Sequence, residues 1–186
     1  MDLSKIIAER RSVFPEQYIN KPIARETIEE LLEAANWAPT HKHTEPWRFK
    51  VLQGESIKNM SDFLTSKYKE ITPEDKFSEF KQRKLATKPR MAGAIIAICM
   101  QVDPKGKLPE WEEVAATAMA VQNMWLLASH KGLGSYWSSP DIVSELGDFF
   151  NLAQGEKCLG FFYLGHYEGE KPEGRRIPIE EKTVWM

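Results

Sequence analysis

Apolar side chains recur at helical spacing in three parts of the chain. Leu3, Ile7 and Arg10 follow the spacing of one face of an N-terminal helix, which predicts that Arg10 continues an inward-pointing stripe. A second helix is predicted from about Arg25 to Trp37, and the longest one from about Trp111 to Lys131. Because the longest helix is apolar around most of its girth, we expect it to be buried in the domain or in a subunit interface.

Continuous apolar runs predict the strands. The run from Ala92 to Val102 is β-prone throughout, as expected for a central strand that is covered on both faces. Two more strands are predicted at Trp47–Leu52 and Cys158–Leu164. The segment Gly132–Pro140 is either a short strand, whose small residues let a ligand approach the backbone, or a simple turn with a packed Trp137.

The pattern is less regular in three other places. The polar stretch from Lys67 to Arg90 predicts one or two exposed helices, which either cover a pocket or dock their scattered aromatic side chains into the core. A short helix is predicted from Ser56 to Leu64, and another from Asp141 to Phe150. The chain ends in the apolar residues Val184-Trp185-Met186, which suggests that this end docks onto another surface, such as a second subunit.

Composition narrows the class of protein. The 186 residues are 42% hydrophobic and 28% charged, which is typical of one folded domain, assigned here to residues 1–186. A net charge of -2 gives no electrostatic case for nucleic-acid binding. We find no signal-peptide pattern and no apolar run long enough to span a bilayer, so no membrane contact and a cytoplasmic location are expected. The two cysteines, Cys99 and Cys158, lie in apolar runs and are interpreted as buried packing residues.

Candidate chemistry begins with Arg10-Arg11-Ser12, at the end of the first predicted helix. Two adjacent guanidinium groups and a hydroxyl could bind an anion such as phosphate. The alternative is that both arginines only complement the negative end of the helix dipole. The predicted inward position of Arg10 favours a ligand, because a buried charge needs a partner.

A polar loop bounded by prolines follows the second helix. His41 and His43 alternate along it, but no third ligand stands at a readable spacing, so no metal site is predicted. The chain also lacks a dinucleotide-binding glycine motif, a phosphate-binding P-loop and a nucleophile elbow, and neither His130 nor His166 lies in a readable triad. A loop set without an evident acid, base or nucleophile suits a protein whose cofactor carries the chemistry.

Five segments, in this order, resemble the FMN-dependent nitroreductase family, and more specifically a short subgroup of it. Each motif is weak alone, but together they cover nearly the whole chain. They are Glu9-Arg10-Arg11-Ser12, the loop from Ala38 to Phe49, Gly132–Ser139, Cys158–Gly165 and Arg175–Glu181. Lys42, His43 and Glu45 depart from the Asn and Gln that many longer members carry in the loop.

The resemblance implies an α+β fold with a mostly antiparallel central sheet flanked by helices. It also implies an intertwined homodimer, in which the long helix lies at the interface and the C-terminal tail reaches the partner's sheet. Two FMN sites would then lie between the subunits.

Carried over to this chain, the resemblance assigns three groups of contacts to FMN. The phosphate and ribityl chain would be bound by Arg10, Arg11 and Ser12, with Arg175 or Arg176 as a second cation. The isoalloxazine would contact Trp137, Ser138 and Ser139. From the other subunit, His41 and Glu45 would approach the flavin. A carboxylate beside a reduced flavin needs a partner, so we hypothesise that Lys42 or His43 pairs with Glu45.

The implied activity is ping-pong transfer of a hydride from NAD(P)H, through flavin N5, to an electron-poor acceptor of the nitroaromatic or quinone type. No side chain of the chain would be catalytic in that scheme, because the cofactor carries the reaction. One alternative is a flavin-binding redox sensor or a flavin-modifying relative without general reductase activity. Another is a module without flavin, in which Arg10-Arg11-Ser12 grips a phosphorylated partner.

Overall fold

A computed structural model describes residues 2–186 of the chain. Within them, the helices are α1 (Leu3–Glu9), α2 (Arg25–Asn36), α3 (Glu55–Ile71), α4 (Glu79–Thr87), α5 (Glu110–His130) and α6 (Gly147–Phe150). The strands are β1 (Trp47–Leu52), β2 (Ala94–Gln101), β3 (Gly134–Ser138) and β4 (Glu156–Gly165). Among these helices, none combines the length and the apolar character that crossing a bilayer requires. The cytoplasmic location stays a prediction.

The four strands form one antiparallel sheet in the order β1-β2-β4-β3, which confirms the predicted α+β fold. Seven consecutive residues of β2, Ala94–Met100, are completely buried. One face of the sheet packs against α2 and α5, where Leu31 and Met124 are fully buried. The other face packs against α3, through Met60 and Leu64. Since β2 is covered on both faces, its sequence reads as a continuous apolar run.

The first helix does not have the predicted buried face. Leu3 is 62% exposed and Ile7 is 51% exposed. The helix ends at Glu9, and Arg10 already has extended backbone angles, so it does not continue a helical stripe. A seven-residue helix contributes too little periodicity to identify which side is covered. The position of Arg10 therefore has to be explained by its own contacts.

Two further segments differ from their predicted form. The helix predicted at Ser56–Leu64 is longer, because α3 continues through the polar stretch as far as Ile71. The segment Asp141–Phe150 is divided into a 3-10 turn and the single helical turn α6, with Leu146 outside helical geometry between them. Gly134–Ser138 pairs with β4 along its whole length, so the strand interpretation of that segment is confirmed over the turn.

Candidate functional site

The segment after α1 lies beside the edge strand β3. The Val13 N–H donates a hydrogen bond to the Ser135 carbonyl at 3.0 Å, which fixes the preceding residues next to the sheet. The Arg10 guanidinium lies over the ring of Trp125 in α5, 4.4 Å from its centroid. Ser12 is half-buried between these anchors. Within residues 2–186, neither the Arg10 guanidinium nor the Ser12 hydroxyl has a hydrogen-bond partner.

Arg11 joins this segment to the C-terminal part of the chain. Its guanidinium donates to the Pro172 carbonyl at 3.1 Å and to the Ala8 carbonyl at 2.6 Å. Gly174 packs so closely on this guanidinium that a Cβ at that position would collide with it. The contact brings the tail, and with it Arg176, towards Arg10.

The resulting cluster of cations, Arg10, Arg11 and Arg176, has no acidic partner in the part of the chain that the structure describes. Burial lowers the pKa of Arg10, and the positive charges of Arg176 and Arg11 lower it further. The ion pairs within residues 2–186 include none that involves these three arginines. Arg175 instead lies 3.9 Å from Glu173 in an exposed position. Because like charges repel and desolvation is costly, this arrangement favours binding of an anion.

A cavity of about 360 Å³ opens beside β3 on the sheet face that α3 covers. Tyr136 and Ser138 of β3 line it together with Tyr163 of β4. Its size falls within the range of small-molecule sites, and aromatic rings form much of its wall. The structure thus brings Ser138 to a cavity, while Trp137 faces the opposite side of the sheet and packs into the α2–α5 core.

Lysine side chains at this cavity were not identified from the sequence. Lys81 and Lys84 of α4 line it, as does Lys88 beyond the helix. The Lys88 ammonium lies 4.3 Å from the centroid of the Tyr136 ring and 5.5 Å from that of Phe14. The sequence gives no signal for this placement, since all three lysines fall in a polar stretch that reads as exposed helix.

The backbone of β4 passes unusually close to Trp137 and Ser138. Gly160 of β4 has φ +142°, and a Cβ there would lie 2.6 Å from Trp137 Nε1 and would collide with the Ser138 carbonyl. Only glycine has the freedom to adopt this conformation without strain. Ser139 follows the end of β3 and is exposed.

The loop that carries His41 and Glu45 lies away from the arginine cluster. His41 Nδ1 is 2.6 Å from a carboxylate oxygen of Glu112, in the first turn of α5. Arg10 contacts Trp125 of the same helix, thirteen residues further on, and a rise of 1.5 Å per residue separates these two points by about 20 Å. Within one chain, therefore, His41 is not brought to the arginine cluster.

The loop that carries His41 and Glu45 has a strained backbone. Lys42, His43 and Glu45 have φ values of 51°, 53° and 41°, a region that residues other than glycine rarely occupy. The Glu45 side chain is exposed, and no ion pair within residues 2–186 joins it to Lys42 or His43. Lys42 donates instead to the Lys107 carbonyl at 3.2 Å, so the hypothesis that Lys42 or His43 pairs with Glu45 is wrong for the single chain.

Metal ligation receives no support from the geometry. Between residues 2 and 186, no group of three or more His, Cys, Asp or Glu side chains could hold a metal ion. The described residues leave two features, a cluster of arginines without an acidic partner and an aromatic cavity on the other side of the edge strand β3.

Comparisons with known proteins agree on one family. A family model described as the Nitroreductase family matches residues 7–166. The Bacillus subtilis protein named "Putative NAD(P)H nitroreductase YfhC" is 32% identical over 191 aligned residues, covering 99% of this chain and 94% of that protein.

Solved structures give the same result. A nitroreductase-like family protein from Bacillus cereus has a TM-score of 0.84 and 30% identity, with 100% of this chain and 96% of that chain covered. A nitroreductase with bound FMN from Bacteroides fragilis has a TM-score of 0.74 and 19% identity, with 100% of both chains covered. At that lower identity the likeness concerns the fold alone.

Proposed function

The chain belongs to the nitroreductase family, and from this premise we propose that it is an FMN-dependent NAD(P)H oxidoreductase. The observation that carries the proposal is the cluster of Arg10, Arg11 and Arg176, which has no acidic partner among residues 2–186 and lies next to β3. A phosphate group suits a cluster of guanidinium groups, because their planar N–H donors match its oxygen atoms.

Donors left without partners support the fit of a phosphate. The Arg10 guanidinium and the Ser12 hydroxyl are both free, and the buried indole Nε1 of Trp125, beneath Arg10, also lacks an acceptor within residues 2–186. A buried donor without a partner is destabilising until it finds one. We propose that Arg10, Arg11, Ser12 and Arg176 bind the phosphate and ribityl chain.

For the ring system, we propose the C-terminal end of β3, on the face of the sheet that Arg10 and Trp125 share. Trp137, Ser138 and Ser139 would border the isoalloxazine there. When bound, FMN supplies the hydride chemistry between NAD(P)H and an electron-poor acceptor of the nitroaromatic or quinone class. The protein's residues bind and orient the partners and exclude water.

We further propose that a second copy of the chain completes each site. The C-terminal Val184 and Trp185 are 86% and 93% exposed, a large apolar area for a terminal segment. His41 lies about 20 Å along α5 from Arg10, so the partner's His41 and Glu45 are the copies that would reach the flavin. The arrangement is the intertwined homodimer that the family resemblance implies.

The first experiment measures flavin binding and then NAD(P)H oxidation. Protein purified with added FMN should show flavin absorbance and should oxidise NADH or NADPH steadily when a quinone or nitroaromatic compound is present. A yellow protein that oxidises neither nicotinamide would favour a flavin-binding sensor or flavin-modifying relative. A colourless protein would favour a module that binds a phosphorylated partner, and would reject the proposal.

A subunit-mixing experiment tests the shared site. Two chains with different affinity tags would be co-expressed, one carrying Arg10→Ala and the other carrying both His41→Ala and Glu45→Gln. In a dimer with shared sites, the mixed dimer has one site with all the substitutions and one with none. It should therefore bind more FMN than either mutant homodimer, approaching one per dimer. Occupancy no higher than that of the homodimers would place each site within one chain.

A further inference from the structure

The two cysteines of the chain face each other across the sheet. Cys99 of β2 and Cys158 of β4 are register partners in the antiparallel pair, and both are free thiols. Both side chains belong to the hydrophobic layer beneath α3, so they point to the same face. Directly opposite residues in an antiparallel pair have Cα atoms about 4.5 to 5.5 Å apart, and disulfides span about 4.4 to 6.8 Å. The backbone therefore already has the separation that a disulfide needs.

A β-bulge lies at this pair. Ile98 pairs with Gly160 and Cys99 with Cys158, so Leu159 is an extra residue on β4. Bulges re-aim the side chains beside them. The Cys158 thiol donates to the Gly160 carbonyl at 3.6 Å. The two cysteines are thus direct neighbours on one face of the sheet, at a bulge where the strands keep their pairing.

The two thiols differ in access and acidity. Cys99 is fully buried, whereas Cys158 is partly exposed. The hydrogen bond from Cys99 lowers the pKa of Cys158, and the same contact together with burial raises the pKa of Cys99. The Glu156 carboxylate raises the pKa of both thiols, and the Lys50 ammonium lowers it by less. Since the thiolate is the reactive species, an oxidant would meet Cys158 first.

We propose that Cys99 and Cys158 form a reversible dithiol–disulfide couple that responds to peroxide. The Cys158 sulfur attacks one oxygen of hydrogen peroxide and the O–O bond breaks. One water is released, and Cys158 becomes a sulfenic acid. Cys99 sulfur then attacks the Cys158 sulfur, so that the S–S bond forms, the S–O bond breaks and a second water is released. Two thiols are oxidised and one peroxide is reduced to two waters; a dithiol reductant reverses the change.

The position of the pair connects it to the candidate site. Gly160, whose carbonyl lies beside the Cys158 thiol, packs directly against Trp137 and Ser138. Oxidation removes the S–H group of Cys158 and ties the bulge to β2. The couple is therefore built into the backbone that supports the end of β3. It exists whether or not flavin binds, so its test is independent of the proposed function.

The test is an intact-mass measurement on the full-length protein. The chain contains only these two cysteines, so a loss of two hydrogens from the monomer identifies the Cys99–Cys158 bond. After treatment with hydrogen peroxide, unfolding and addition of N-ethylmaleimide, the expected product is an unalkylated monomer with that loss. Dithiothreitol before alkylation should restore two alkylated thiols. Oxygen addition on Cys158 with Cys99 still alkylated, or only disulfide-linked dimers, would overturn the proposal.

Single variants provide the second measurement. In Cys99→Ala, the sulfenic acid on Cys158 has no resolving thiol and should be trapped by dimedone far more than in the unmodified protein. Cys99→Ser is a second variant in case the alanine form does not fold, and Cys158→Ser should not be labelled. Equal dimedone labelling of Cys158 with and without Cys99 would show that Cys99 does not resolve the intermediate, and would overturn the proposal.

Discussion

Replacing Arg10 with alanine is expected to weaken FMN binding far more than it weakens folding. In the structure its guanidinium makes one notable contact, the stacking on Trp125, which is worth about 0.5–1 kcal/mol at a partly exposed site. Its removal also relieves repulsion with Arg11 and Arg176, so the net cost to unfolding should stay below about 1 kcal/mol. A hydrogen bond to a charged phosphate contributes about 1.5–3 kcal/mol. At 1.4 kcal/mol per decade, the FMN dissociation constant should rise roughly 10- to 150-fold.

The assay combines two titrations on each variant. Quenching of FMN fluorescence gives the dissociation constant, and denaturant unfolding without FMN gives the free energy of unfolding. Arg25→Ala is the matched control, because that arginine is exposed and pairs with the exposed Glu29 at 2.7 Å. Arg10→Lys keeps the charge but loses the bidentate geometry, so its FMN dissociation constant should lie between those of Arg10→Ala and the unmodified chain. An Arg10→Ala protein that binds FMN within about twofold of the unmodified chain would refute the reasoning, as would a loss of stability larger than the loss of binding free energy.

Three further outcomes follow from the structure. Gly160→Ala should lower the free energy of unfolding by about 3 kcal/mol in denaturant titrations, because φ is +142° and a Cβ would meet the Ser138 carbonyl. Gly147→Ala is the control, since open space surrounds that position, and it should change the free energy of unfolding by less than about 1 kcal/mol. Asp103 accepts two backbone N–H bonds that lower its pKa, so it stabilises the fold above its unfolded pKa and loses that effect as the pH falls through the lowered value. Asp103→Asn should therefore be less stable than the unmodified chain at pH 7, with the difference closing below about pH 4 in thermal scans. Trp185→Asp should shift the sedimentation of the protein towards a monomer without lowering the helix content measured by circular dichroism.

Elements whose pattern is long and unambiguous could be predicted from the sequence. The strand β2 reads as a buried run because both faces are covered, and its edges were displaced by only a residue or two. The helix α5 was identified with similar accuracy. Both depend on local hydrophobic pattern, which the fold preserves along many consecutive residues.

Features set by contacts between distant residues could not be predicted in this way. The orientation of Arg10 depends on Trp125, and that of Arg11 on the backbone around Gly174. Both partners are more than 100 residues away from the arginines along the sequence. Lys88 was missed for a similar reason, since its place over Tyr136 depends on where β3 lies in the sheet. The periodicity of α1 was misleading, because its apolar residues are exposed in the single chain.

The length of α5 separates the residues that the family resemblance assigns to the site. The helix holds His41 near its first turn through Glu112 and Arg10 near its last turns through Trp125. A rigid helix keeps these points about 20 Å apart, so within one chain His41 and Arg10 lie towards opposite ends of α5. If α5 packs against the α5 of a second copy in the opposite direction, the two ends exchange neighbours, and the partner's His41 comes near Arg10. In the proposed dimer, the strained φ values of the loop containing Glu45 would belong to a segment that faces the neighbouring chain.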